Sequence, residues 1–555
     1  MNKITPKFFH LLSISIIIGL ITSKLFGQEG TAQVMPDPND GVAMFIDQNT
    51  YGPGYNSPES QRLYFHIADD VNENLYFGVN PYFRGTDGNP NASTQVYYRI
   101  KNPNGTVVAG PSAFSRTNGA PGFINTYQRA VAGPNVAGSS PSGYTPIVFN
   151  PNSGSGDYYI EIYLSTDGGV SPYTGPEAAL LPYFDFSVIS GTTAKRRGRL
   201  FSKKWGFITY NPSNFTPQIN NDFKGTFFTY TPDGFTIQVQ FSEGFRPFGF
   251  QLAFNSTGVN STGNFIQDRR SVNGSVNINN GYPTFLTRPD SAIYPNGEVG
   301  VPSFDSAGIF GCPGDYDIPY YTDQAGDVGL LLDLNGTPGF QSGTRDRILE
   351  AYSITPGNHI MSWNGLDGLG NPVNEGASVQ VLLTLYQGRT NIPMVDAEQN
   401  KNGLSVVGIF PSTPNRRLYW DDTQLTNIGT DCSNPNNNTT GAGVSSSLLG
   451  QGVLGPVHAW DGPNPTTAVP APANGGGSAT NANLCDDFGN NRTINTWFYA
   501  ISSESSSRTF EVPRCDYDGD GVADTIDLDD DNDGIADAIE NNGYPDANAD
   551  ADNDG

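Results

Sequence analysis

Histidine is nearly absent from this chain. Of 555 residues, four are His. His10 sits in an apolar N-terminal run, and His66, His359 and His458 are scattered over the rest. The HExxH, GxSxG and P-loop patterns are missing as well. No nucleophile–base motif can be assembled from sequence neighbours, and nothing singles out a glycosidase-type carboxylate pair, so the chain reads as a non-enzyme. Cysteine is limited to Cys312, Cys432, Cys485 and Cys515. No two form a close Cys-x-x-Cys pair, which argues against a zinc site. In an exported chain they read as disulfides, with three possible connectivities. Cys432 and Cys485 share an Asn/Gly-rich stretch that needs bracing and are the expected pair. Positive charge is scarce too. Lys and Arg number 29 against 55 Asp and Glu, for a net charge of −26 and a pI of about 4.3, which argues against a nucleic-acid partner.

Long apolar runs are confined to the N-terminus. Lys3 and Lys7 precede an apolar stretch, residues 8–21, too short and wrongly flanked for a stable membrane span. Residues 1–27 read as a signal peptide, with cleavage near Gly27 and Gln28 first in the mature chain. No cysteine lies there to carry a lipid anchor. No transmembrane span is expected after it, and the protein is expected to be secreted to the cell surface, outside the outer membrane.

What the chain has in quantity is glycine, proline and aromatics: 66 Gly, 41 Pro, 33 Phe and 27 Tyr. The aromatics supply surface for packed cores. Tyr158, Ile160, Ile162 and Leu164 alternate with Tyr159, Glu161, Tyr163 and Ser165. Phe235, Ile237, Val239 and Phe241 alternate with polar residues after the turn Pro232-Asp233-Gly234. Val379, Val381, Leu383 and Leu385 line one face of a third strand. Period-two alternation punctuated by Gly, Pro and Asn predicts an all-β fold of tandem Ig-like antiparallel sandwiches. The expected divisions are a linker over 28–40, sandwiches over 41–190 and 191–310, an Ig-like domain over 311–410, a loop-rich β extension over 411–514 and a repeat tail over 515–555.

Three further features carry alternatives. Lys195, Arg196, Arg197, Arg199, Lys203 and Lys204 read as a solvated linker opening the second sandwich, or as a contact for anionic glycans. Tyr320, Tyr321, Trp420, Trp460, Trp497 and Phe498 are candidate stacking platforms for sugars. Asp421 and Asp422 read as a turn cap or a pair of metal ligands.

The acidic tail is the strongest motif. Asp516, Asp518, Asp520, Asp524 and Asp527 recur thirteen residues on as Asp529, Asp531, Asp533, Asp537 and Glu540. Gly521 and Gly534 hold position 6 of each unit, and Asp550, Asp552 and Asp554 open a third. Residues 516–555 hold fifteen acids and no Lys or Arg. Calcium takes six to eight hard oxygens at about 2.3–2.6 Å, and a loop with ligands at positions 1, 3, 5, 7, 9 and 12 supplies them. Position 7 offers a backbone carbonyl, here Val522 and Ile535. The even period resembles thrombospondin type 3 repeats, which implies a calcium-filled spacer with each set of five acids serving one site. The third unit ends mid-loop, so the chain is expected to be the N-terminal part of a longer protein.

Two resemblances extend this reading. Trp363, Asn364, Gly365, Asp367, Gly370, Val373 and Gly376 resemble the Ig-like domain of flagellar hook-capping proteins, which implies a buried Trp363 and an architectural role. Within residues 196–555, the order of the stretch 327–405, LYWDD at 418–422, INTWFYA at 494–500 and the acidic repeats is similar to that of very large secreted surface proteins of Bacteroidota-type bacteria, of the gliding-motility and type IX secretion class. These resemblances imply a non-enzymatic, calcium-stabilised structural or adhesive protein linked to attachment or gliding, with surface glycans or other surface components as partners. The alternatives are a carbohydrate-binding region upstream of a catalytic domain, or an outer-membrane-anchored protein with a downstream peptidoglycan-binding domain.

Overall fold

The computed structural model describes residues 29–425 apart from short internal stretches, residues 492–516, and isolated positions within 444–458 and 522–536. The expected signal peptide, Cys432, Cys485 and Trp460 lie outside the described residues. So do Asp518, Asp520, Asp524, Asp531, Asp533, Ile535, Asp537, Glu540, Asp550, Asp552 and Asp554.

Nearly all regular structure is β, paired antiparallel between strands. The alternating segments form the strands expected of them. Phe235, Ile237, Val239 and Phe241 are buried in one core, and Val379, Val381, Leu383 and Leu385 in another. Around Gly156–Ser165 both faces are covered, because Tyr159, Glu161 and Tyr163 are buried as well. Glu161 is tolerated there because Arg99 and Lys101 both pair with it across the ladder. A buried carboxylate without such partners would be strongly destabilising.

The division into bodies differs from the expected one. An eight-stranded sheet runs, in order, Val272–Asn273, Arg492–Phe498, Thr390–Val395, Gly249–Ala253, Lys204–Thr209, Val42–Ile46, Ala178–Leu181 and Tyr82–Arg84. Val42–Ile46 therefore pairs with Ala178–Leu181 on one side and with Lys204–Thr209 on the other, so no sandwich boundary falls near residue 190. A nine-stranded sheet likewise joins Gln95–Lys101 and Gly156–Ser165 to Thr226–Tyr230, Thr236–Phe241 and Leu404–Phe410. One apolar core extends from Val34 to Ala500 in sequence. The segment expected as a linker, 28–40, contributes Thr31, Val34 and Met35 to the interior. The basic stretch is not a linker either. Arg199 is buried, with its guanidinium on Glu73 (3.2 Å) and Asp290 (2.9 Å), and Lys204 is buried with its ammonium on Asn277 Oδ1 at 2.8 Å.

The second body is an insertion into the first. Strands Pro302–Ser303, Phe310–Cys312, Asp315–Thr322 and Gly357–Trp363 form one sheet. Gly326–Asp333, Arg347–Ile354 and Ser378–Gln387 form the facing one, completed by Ile501–Glu504 and Arg508–Glu511 from far along the chain. Its core is separate and includes Trp363, Tyr316, Val381 and Phe510. Trp363 stacks on Tyr316 at 5.2 Å between centroids, and its indole N–H donates to the Leu366 carbonyl at 2.9 Å. The turn that follows requires left-handed backbone at Gly365, with φ of 74°. Asp367 closes it by accepting from the Leu369 and Asn371 N–H groups and from Arg345.

The chain passes between the bodies three times, near residues 298, 388 and 500. A polar clamp fixes that junction. Arg389 Nη1 donates to both carboxylate oxygens of Asp327 at 2.9 Å, and Tyr499 Oη donates to Asp327 Oδ2 at 2.8 Å. Arg389 and Tyr499 lie at the edge of the first body and Asp327 on a strand of the second. Asp327 is buried and Arg389 partly so, and both oxygens of the carboxylate are hydrogen-bonded, which is the condition for such a pair to be tolerated.

Candidate metal centre

The tail leaves the second body at a covalent anchor. Cys515 is bonded to Cys312, 203 residues earlier, with Cα atoms 5.0 Å apart. Just before it, the Val512 N–H donates to the Ala377 carbonyl, and the Gly376 N–H donates to the Val512 carbonyl. The next residue after the disulfide is Asp516, the first acid of the repeat. This bond joins the two cysteines outside the expected Cys432–Cys485 pair.

Of the expected ligand positions, Asp516, Val522, Asp527 and Asp529 are described. The second unit shows how its loop closes. Asp529, at position 1, accepts the N–H of Gly534, at position 6, on Oδ2 at 3.0 Å. Gly534 has φ of 91°, a conformation that a side chain would strain. Asp529 Oδ1 is shielded from solvent and receives no hydrogen bond. One oxygen thus closes the turn while the other has no hydrogen-bond donor. At the boundary between units, Asp527 Oδ1 accepts the N–H groups of Leu528 (2.7 Å) and Asp529 (3.1 Å). Among the described residues no group of three or more His, Cys, Asp or Glu is placed to hold a metal ion.

The other candidates turn out to be structural. Asp421 pairs with Arg270 at 3.0 Å and accepts from Thr423, so it caps a turn. Asp422 meets His458, a contact between residues 36 apart that the sequence did not suggest. His458 Nε2 lies 3.0 Å from Asp422 Oδ2 and Nδ1 lies 2.6 Å from Thr496 Oγ1, with the ring stacked on Trp420. All three polar residues are 0% exposed, so the group pins the chain at His458. His359 sits at a strand position with Nε2 2.7 Å from the Thr355 carbonyl oxygen. Among the stacking candidates Tyr320, Trp420, Trp497 and Phe498 are core residues, and Tyr321 is exposed.

A pair of buried acids went unrecognised in the sequence. The Glu29 carboxylate is held by the N–H groups of Gly198, Arg199 and Leu200 and by Thr287 Oγ1. Asp185 accepts from the Glu29 N–H, from Ser187 Oγ and from Tyr144 Oη. Burial pushes both carboxyls up to about 7, against the opposing pull of those donors. A carboxyl raised on folding contributes stability that is complete below its unfolded value near pH 4 and is lost as pH rises through 7. Melting of the first body, followed by calorimetry, is therefore expected to rise on acidification from pH 8 to 5. Acidification also relieves repulsion among the many other acids, so the diagnostic quantity is the difference between wild type and Glu29→Gln. The variant should show a shallower slope, and parallel profiles would refute the assignment.

No protein-family model matches this chain, and no characterised protein matches it by sequence. Among solved structures, the crystal structure of a DUF4785 family protein from Legionella pneumophila is similar over 64% of this chain and 88% of that chain, at 11% identity and a TM-score of 0.11. A likeness at that TM-score carries no argument about fold or function.

Proposed function

We propose that this chain is a non-enzymatic, calcium-stabilised structural and adhesive protein of the cell surface, exported by an N-terminal signal peptide and linked to attachment or gliding. The observation that carries the reading is the Asp529–Gly534 closure, which falls at the position 1 and position 6 offsets that the thirteen-residue period demands. Calcium neutralises the tail's carboxylates and stiffens it as a spacer, while the β bodies supply the mechanical mass. The resemblance to thrombospondin type 3 repeats and to secreted surface proteins of Bacteroidota-type bacteria points the same way.

The test is calcium titration of the full chain by calorimetry, with small-angle scattering at each end point. Two ions are expected to bind within residues 516–540 with Kd on the order of 10⁻⁴–10⁻³ M, and the tail is expected to compact. Asp529→Ala should remove the second site. An absence of binding heat together with unchanged scattering would sink the calcium reading.

A further inference from the structure

We propose that the outer face of the sheet formed by Pro302–Ser303, Phe310–Cys312, Asp315–Thr322 and Gly357–Trp363 binds a neutral polysaccharide. The inner alternation of these strands, Tyr316, Ile318, Tyr320, Met361 and Trp363, fills the core of the second body. The outer alternation carries large apolar groups to solvent: Ile360 is 60% exposed, Phe310 49% and Tyr321 39%. Isolated exposed apolar residues are ordinary, but a contiguous set marks an interaction surface.

Strand register places small polar groups among them. Tyr321 lies between Ser303 and Asn358, Pro319 lies opposite Ile360, and Asp317 lies between Phe310 and Ser362. Cross-strand neighbours are about 4.5–5.5 Å apart. Tyr321 and Asp317 are four residues apart on one strand, roughly 13 Å at about 3.3 Å per residue. The two rings therefore stand a few sugar units apart along an extended glycan, with Pro319 and Ile360 between them and hydroxyl, amide and carboxylate groups beside each ring to meet the sugar hydroxyls. Aromatic rings with a few placed polar groups suit the apolar faces and polar edges of a pyranose.

Charge selects among occupants. None of the four strands carries Lys or Arg, while Asp315 and Asp317 lie on the outer alternation and Asp323 beside it. An anionic glycan or anionic lipid surface meets like charge, and a second copy of the chain presents the same acidic rim. A neutral polysaccharide meets neither penalty and finds hydrogen-bond acceptors. The inference gives the adhesive part of the proposed function a surface and a ligand class, so it rests on the extracellular placement. It needs no calcium.

The test is native affinity electrophoresis of the full chain in EDTA, through gels containing soluble glucans, mannans, xylans or galactans, with alginate as the acidic comparison. Working in EDTA separates the result from that of the calcium titration. At least one neutral polysaccharide should retard the protein, and Tyr321→Ala and Ile360→Ser should each weaken binding about tenfold with unchanged melting. If Tyr321→Ala proves destabilising, Ile360→Ser carries the comparison, since its side chain lies mostly in solvent. The inference is overturned if no neutral polysaccharide retards the protein, if both variants bind as wild type, or if alginate alone binds. It is also overturned if sedimentation shows a dimer that Ile360→Ser dissociates, since a second copy then covers the face.

Discussion

Replacing Trp363 with alanine is expected to lower the stability of the second body by about 3–5 kcal/mol, the range for truncating a buried aromatic. The indole is fully enclosed, stacks on Tyr316 and hydrogen-bonds the Leu366 carbonyl. Its loss leaves a cavity at the end of the core and frees the carbonyl that shaped the Gly365 turn. The first body has its own core, so its calorimetric transition should persist. It should weaken only once the second body has melted, because Arg389 then loses Asp327. Calcium binding by the tail should be unaffected. Two transitions that both stay in place in Trp363→Ala would show that the indole does not support the core.

The second large effect is expected at the disulfide. The Cys312→Ser/Cys515→Ser double variant should cost the second body about 2–5 kcal/mol, as for loss of a native disulfide closing a long loop. The substitution removes this one bond and leaves Cys432 and Cys485 untouched. Besides the lower melting temperature, limited proteolysis should cut between residues 505 and 516 earlier than in wild type. There the strand Arg508–Glu511 is held by pairing with Ser378–Val381 and by the bond that follows it. Equal melting and equal cleavage rates would mean that the ladder alone holds the C-terminal strands.

The strands were legible because alternation is a one-dimensional signal: Phe235–Phe241 and Val379–Leu385 show in sequence the faces they bury. Trp363 was legible because the turn that follows it, with Gly365, Leu366 and Asp367, lies within four residues, whereas its stacking partner Tyr316 does not show in the local sequence. What could not be read was pairing at long range. Nothing local in Val42–Ile46 indicates that it sits between strands at 178–181 and 204–209. Residues 28–40 look like a linker because the groups that hold Glu29 lie at 198–200 and 287. The buried Arg199 and Lys204 look like surface charge for the same reason. In the tail, the offsets of Asp529 and Gly534 were legible because a repeat states its geometry twice.

The interleaving of the two bodies also sets a timetable. Val272 pairs with Thr493, 221 residues later, and Thr390–Val395 remains an open edge until Arg492–Phe498 arrives. A ribosome adding about 5–20 residues per second takes roughly 10–45 s to bridge that gap. Throughout it the first body carries unpaired strand edges that invite wrong partners. The first body therefore closes only when Arg492–Phe498 has been made, so the strand that seals its edge is the last of its strands to be synthesised.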